Sequence, residues 1–151
     1  MPETLIASVN EILSGHSWEE GTEWPTVQVE PDALLQLMQE LKSNPDFYLD
    51  YLFCLTAVDW KTHLTMVYHL TSTRHRHTMV VKARLPVTDP AIASVTVLWK
   101  TALFHEREVY ELFGIRFNGH PDLRLLILPD GWEGRNPLRK DFDDPVNMIR
   151  L

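Results

Sequence analysis

The sequence predicts an α+β fold: an antiparallel β-sheet with helices packed on one face, followed by a loop-rich C-terminal tail. Apolar residues recur at helical spacing before residue 44 and alternate at strand spacing between residues 52 and 85. After Gly114 neither period survives, while glycines, prolines and charges accumulate. The resulting order, α-β-α-β-β-β-α and then loops, is that of helices laid over a sheet.

Residues 5, 6, 9, 12 and 13 (Leu5, Ile6, Val9, Ile12, Leu13) make the first helical stripe, with Gly15 placed to stop it. Residues 16–25 read as a polar loop, and Thr26–Val29 as a short strand. A second helix opens with Pro31 and Asp32 and carries Leu34, Leu37, Met38 and Leu41 on one face. Asn44-Pro45 closes it. Residues 52–58 are nearly all apolar, as in a central strand. Leu64, Met66, Tyr68 and Leu70 alternate with His63, Thr65, Val67 and His69, and Met79, Val81, Ala83 and Leu85 with Thr78, Val80, Lys82 and Arg84. Short connections at 59–63 and 71–76 make the three strands an antiparallel meander. Thr88-Asp89-Pro90 has the composition of a helix start and predicts a helix carrying Ile92, Val95, Leu98 and Trp99 to the core.

The bulk properties narrow the function. A chain of 151 residues fits a single domain spanning 1–151, large enough to bury roughly 70% of its unfolded surface. A net charge of −7 argues against nucleic acid or an anionic lipid surface as the main partner. No apolar run approaches the roughly 18 residues of a membrane span. The first 14 residues contain Glu3 and Glu11 and no basic cluster, so they do not read as a signal peptide. Cys54 is the sole cysteine, which excludes an internal disulfide and any multi-cysteine zinc or iron–sulfur site within this chain. These features fit the cytoplasm.

The run His105-Glu106-Arg107-Glu108-Val109-Tyr110-Glu111-Leu112-Phe113-Gly114 dominates the second half. If the helix continues through it, Val95, Leu98, Ala102, Val109, Leu112 and Phe113 form one apolar stripe, and Glu106 falls within that stripe. Arg107 and Glu111 fall on the opposite side, spaced to pair across one turn, with Glu108 on the flank. A carboxylate on an apolar stripe must find donors or be protonated. Glu106 therefore reads as an ion-pair partner for Arg124, Arg139 or Lys140, the commoner outcome, or as a proton-handling acid.

Most reaction centres fail on spacing. His105-Glu106-Arg107-Glu108-Val109 starts like a zinc-protease motif, but Val109 stands where the second histidine is needed. His63, His69, His75 and His77 lie near one another in the meander without a third ligand at fixed spacing. No phosphate-binding glycine motif or G-x-S-x-G occurs, Gly131-Trp132-Glu133-Gly134 reads as a folded loop, and Cys54 sits in the most apolar strand.

Glu106-Arg107-Glu108, Glu111-Leu112-Phe113, His120, Arg124 and Leu126-Ile127, at their spacing here, resemble the signature of the thirty-kilodalton subunit of respiratory complex I, the proton-pumping NADH:quinone oxidoreductase. Asn136-Pro137-Leu138-Arg139-Lys140-Asp141-Phe142 resembles the same family's G-H-P-L-R-K-D-F run, with one extra residue before Pro137. The resemblance implies a non-catalytic subunit of the peripheral arm, on the cytoplasmic side of the membrane, with no cofactor of its own. NAD, FMN, the Fe–S clusters and the quinone would be held by other subunits. Its partners would be the large, forty-nine-kilodalton type of subunit that shapes the quinone pocket and small Fe–S subunits. On this reading Glu106, Arg107, Glu108, Glu111, His120, Arg124, Arg139, Lys140 and Asp141 fasten the tail through ion pairs, and Trp99, Phe117, Trp132 and Arg139 anchor a partner. Three other readings compete: the equivalent subunit of a membrane-bound NiFe hydrogenase or deazaflavin-linked dehydrogenase, a free-standing acid/base enzyme built on Glu106 and His105, and a metal-binding module on the histidine face.

Overall fold

A computed structural model describes residues 2–12 and 15–149. Its elements are α1 (Pro2–Ile12), β1 (Ser17–Glu19), β2 (Thr26–Val29), α2 (Leu34–Ser43), β3 (Tyr51–Asp59), β4 (Leu64–Thr71), β5 (Thr78–Leu85), β6 (Ala91–Ala93), α3 (Ala102–Phe113) and β7 (Arg116–Asn118). The first five strands form one sheet in the order β1-β2-β5-β4-β3, and β6 pairs with β7.

Side-chain period explains the layering. Leu64, Met66, Tyr68 and Leu70 of β4 and Met79, Val81, Ala83 and Leu85 of β5 point to one face. There they join Leu5 and Val9 of α1, the four buried apolar residues of α2, and Ala102, Val109 and Phe113 of α3 in a single buried cluster. The helices therefore cover that face. Leu34, Leu37, Met38 and Leu41 have no exposed surface. Pro31 sits in a 3₁₀ turn that leads into α2, and Asn44 ends the helix with its amide on the Glu40 carbonyl at 2.9 Å. Leu13, expected on α1, lies outside the described residues.

Four features differ from the sequence reading. Residues 17–19, expected as loop, form β1 at the sheet edge, secured by a 2.8 Å Lys82–Glu19 ion pair and the Trp18 indole bonded to Asn10. β2 runs parallel to β5, so the sheet is mixed; α2 provides the crossover connection that such a pairing needs. β3 is an edge strand despite its apolar composition. Its Leu52, Leu55 and Ala57 enter the core, Phe53 lies against Trp24 and His69 on the opposite face, and the Thr101 hydroxyl caps the Leu52 carbonyl at 2.9 Å.

The helix expected from residue 88 does not form. Asp89 adopts a left-handed φ of 51°, and Ile92, Val95, Thr96 and Val97 are β-branched residues that disfavour helix. Residues 91–93 instead pair in parallel with β7, Ile92 beside Phe117, both buried. A turn at 95–98 follows, tied down by Lys42 to the Leu98 carbonyl, and α3 begins only at Ala102. Gly114 ends α3 at φ 75°, as its position predicts.

Candidate functional site

α3 carries charge on three of its sides, and each is used differently. Glu106 faces inward with no exposed surface. Its carboxyl accepts the Ser94 hydroxyl at 2.7 Å and the Val95 amide at 2.8 Å. Its expected cations are elsewhere: Arg124 pairs with Asp122 at the surface, Arg139 lies near Asp59, and the Lys140 side chain is exposed. The nearest ring is His120, whose Nε2 is 3.9 Å from Oε2. His120 Nδ1 accepts the Asp122 amide, so the network assigns the proton to Nε2, which donates to the Leu103 carbonyl at 2.9 Å. The ring is thus neutral and offers Glu106 no charge. Burial pushes the Glu106 carboxyl up to about 7, against the lowering effect of the Ser94 and Val95 hydrogen bonds. Tyr68 nearby is fully buried, its hydroxyl has no hydrogen-bond partner among the described residues, and burial followed by the charge of Glu106 raises it.

Arg107 and Glu111, expected on the side of α3 opposite the apolar stripe and spaced to pair with one another, are both buried there beneath the tail. Arg107 Nε donates to the Arg124 carbonyl at 3.1 Å and Nη2 to the Leu125 carbonyl at 2.6 Å. The Glu111 carboxylate accepts the successive amides of Leu126 (2.8 Å), Ile127 (3.0 Å) and Leu128 (3.2 Å). Oppositely charged side chains thus grip consecutive stretches of the same irregular backbone, whose buried polar groups have no ladder to satisfy them. Glu108 is half-buried on the flank; its charge adds to burial in raising the Cys54 thiol.

The second basic run works in the same way. Arg139 donates to the carbonyls of Phe113 (3.1 Å) and Val87 (3.0 Å), with Nε 3.5 Å from Asp59. Asp59 also accepts the amides of Lys61 (2.7 Å) and Lys140 (2.8 Å). Burial tends to raise the Asp59 carboxyl, but those amides and the charges of Arg139 and Lys140 outweigh it and hold it below the usual range. Asn136, at φ 50°, places its side chain against Gly114, where a Cβ would meet Asn136 Nδ2 at 2.5 Å. Asp141 is exposed.

Trp99 and Phe117, expected to face a partner, are 4% and 3% exposed and belong to the core, the Trp99 indole donating to the Leu49 carbonyl at 3.1 Å. Trp132 is half-buried under the Arg135 guanidinium at 4.0 Å, with Phe142 beside it. Sequence reasoning misses Asp59 and Ser94. A lone acid closing an apolar strand just before a hairpin is the signal that Asp59 carries. The histidines do not converge: His75 and His77 bond the Pro45 and Phe47 carbonyls, His69 packs on Trp24, and among the described residues no three His, Cys, Asp or Glu side chains are grouped to hold a metal.

This α+β chain uses its signature charges to fasten its own tail. It belongs to the family described as the respiratory-chain NADH dehydrogenase, 30 Kd subunit, which matches residues 27–146. The C-type subunit of the NADH-quinone oxidoreductase of Moorella thermoacetica is 43% identical over 93% of this chain and 94% of that protein. The C-type subunit of the F(420)H(2) dehydrogenase of Methanosarcina mazei is 38% identical over 93% of this chain and 89% of that one. A fused relative, the C/D-type subunit of the NADH-quinone oxidoreductase of Phocaeicola vulgatus, is 42% identical over 83% of this chain, which spans only 24% of the fused length. Among solved structures, a trypsin-resistant fragment of Nqo5 superposes with a TM-score of 0.70 at 29% identity, covering 80% of this chain and 98% of the fragment. A chain of the membrane-bound sulfane sulfur reductase, an archaeal respiratory membrane complex, gives 0.80 at 27% identity, covering 93% of this chain and 85% of that one. No helix among the described residues is long and apolar enough to cross a membrane.

Proposed function

We propose that this chain is a non-catalytic scaffold subunit of the peripheral arm of a proton-pumping NADH:quinone oxidoreductase, held on the cytoplasmic side of the membrane by its partners. The observation that carries this reading is the use made of the signature residues. Arg107 and Glu111 spend their charges on five backbone groups of residues 124–128, and Glu106 has no surface on which to meet a substrate. Such residues shape a surface and carry out no chemistry. NAD, FMN, the Fe–S clusters and quinone then belong to other subunits. The C-type relatives, and those in which the C and D types are joined in one polypeptide, support the large quinone-site subunit as its neighbour.

Native purification from membranes, with the associated subunits identified by mass spectrometry, tests the reading. Stoichiometric recovery of the large quinone-site subunit is expected; recovery of the chain alone would refute it. A second reading, the equivalent subunit of a deazaflavin-linked (F420H2) dehydrogenase, is favoured by the Methanosarcina mazei relative. Co-purification of a deazaflavin-oxidising subunit in place of the NADH-oxidising one would select it.

A further inference from the structure

Asparagine is among the chemically labile residues of any chain, and here one position combines everything that lability needs. The chain has asparagines at 10, 44, 118, 136 and 147, and Asn118 alone is followed by glycine. The Asn118-Gly119 pair stands where the core becomes the tail, at the end of the three-residue strand β7. Both residues are exposed, and Gly119 has a left-handed φ of 86°. A Cβ built on Gly119 would meet nothing within 4 Å, so no neighbour crowds its peptide nitrogen. Among the described residues the Gly119 amide and the Asn118 carboxamide make no hydrogen bond. The other asparagines differ. Asn44 and Asn136 precede proline, which has no amide N–H. Asn10 lies in α1, its carboxamide oxygen accepting the ring N–H groups of His16 and Trp18. Asn147 precedes methionine and donates from Nδ2 to Asp144 at 2.9 Å.

We propose that Asn118 is a site of spontaneous modification whose isoaspartyl product loosens the joint between core and tail. The inference is independent of the scaffold reading. The Gly119 nitrogen, once deprotonated, attacks Asn118 Cγ. A C–N bond forms, the bond from Cγ to the side-chain nitrogen breaks, and ammonia leaves carrying the proton that the amide gave up. Solvent water then opens the succinimide ring. Opening at one carbonyl gives aspartate; opening at the other gives isoaspartate, whose main chain runs through the former side chain. Glycine favours the closure because it leaves the nitrogen unshielded and the backbone free to turn.

The fold sets the pace of this step. Ring closure needs the Gly119 nitrogen swung toward Asn118 Cβ, and the extended backbone of a strand carries it away. The swing breaks the 2.8 Å bond from the Ser94 amide to the Asn118 carbonyl. That bond ends a ladder of two short strands, a place that opens early. What stands on either side gives the product its effect. Ser94 donates its hydroxyl to Glu106, and His120 donates to the Leu103 carbonyl. An isoaspartyl link lengthens the main chain between these two fastenings.

The test incubates the full chain at mildly alkaline pH and maps its peptides by mass spectrometry. Isoaspartate is counted by methyl transfer from S-adenosylmethionine under an isoaspartyl methyltransferase. Peptides containing residue 118 should turn acidic and accept methyl groups, while those containing Asn10 and Asn147 stay amidated. Asn118→Gln should lose the signal, because it would have to close a larger ring. The isoaspartyl form, separated by ion exchange, should show faster hydrogen exchange at residues 94–95 and 120–128, with β4 and β5 unchanged. Freshly purified Asn118→Asp has the charge without the longer main chain, so its exchange should match the parent. Residue 118 staying amidated, or Asn10 or Asn147 converting as fast, would overturn the site. An isoaspartyl form that exchanges like the parent, or Asn118→Asp that exchanges like the isoaspartyl form, would overturn the loosening.

Discussion

The sandwich and the tail are held by different forces. Up to residue 85 most of the described backbone lies in helices and strands, and cohesion comes from apolar side chains such as Leu37, Leu64 and Leu70 that have no exposed surface. After Gly114 the one regular element among the described residues is β7, three residues long. There the main chain is satisfied by charged side chains: Arg107 takes two carbonyls, Glu111 takes three amides and Asp59 takes the amide of Lys140, while Arg139 of the tail reaches back to the carbonyls of Phe113 and Val87. A segment without a ladder needs side-chain partners wherever its polar groups are buried. Tolerance should differ accordingly: the sandwich should accept apolar exchange of similar volume, the tail should not accept loss of a charge.

The sharpest way to break this contrast is a matched pair of truncations. Leu37→Ala should cost about 3 kcal/mol, and Glu111→Ala a similar amount of about 3 kcal/mol, because three amides lose a charged acceptor at once. Hydrogen exchange tells them apart. Leu37→Ala should loosen the whole chain in proportion, whereas Glu111→Ala should speed exchange at residues 126–128 while β4 and β5 stay protected. Equal loosening everywhere after Glu111→Ala would mean that the two regions are one cooperative unit.

The buried carboxyl where the regions meet gives a pH signature. The folded-state value of Glu106, about 7, is raised above the ordinary 4.5, so the folded chain binds more protons than the unfolded one between those values. Its stabilising share is complete below about 4.5 and is lost as pH rises through about 7. The loss amounts to about 3 kcal/mol at roughly 1.4 kcal/mol per pH unit. Denaturant titrations of Glu106→Gln should lack this decline; an unchanged slope would show that the carboxyl is not its source. Asp59 acts in the opposite sense: its lowered value stabilises the fold above the ordinary carboxylate range and is lost in acid, so Asp59→Asn should flatten the acid limb only.

Smaller effects sharpen the picture. Gly114→Ala should cost about 2 kcal/mol by thermal melting, since left-handed geometry disfavours a Cβ and Asn136 occupies its place. Asp122→Ala, which removes an exposed partner of Arg124, should change stability by less than about 0.5 kcal/mol. A larger loss there would mean that surface pairs also hold the tail.

These forces also explain what the amino-acid pattern discloses. The stripe of α2, the alternation of β4 and β5, the left-handed Gly114 and the burial of Glu106 are all local consequences of period and composition, and the structure contains each. That reasoning puts Arg107 and Glu111 opposite the stripe but does not disclose their burial, because helical period ranks residues against a single buried stripe. A second layer, the tail lying on the other side of α3, leaves no trace in that period. The sheet order is hidden for a similar reason: an apolar β3 looks central whether a strand or the Thr101 turn covers its edge. Trp99 and Phe117 read as anchors because large aromatics serve both cores and interfaces, and composition alone does not distinguish the two.

The parallel pairing of β2 with β5 has a consequence for synthesis. Residues 26–29 hydrogen-bond to residues 80–83, so a nascent chain that has emerged only as far as the β3–β4 hairpin has one of its strands waiting for a neighbour not yet made. Closing that span is slow compared with folding a hairpin, and until it closes the apolar face of α2 stays open to chaperones or to other nascent chains. A ribosome stalled before β5 should therefore present a chain that proteases cut readily, and one released past it should not.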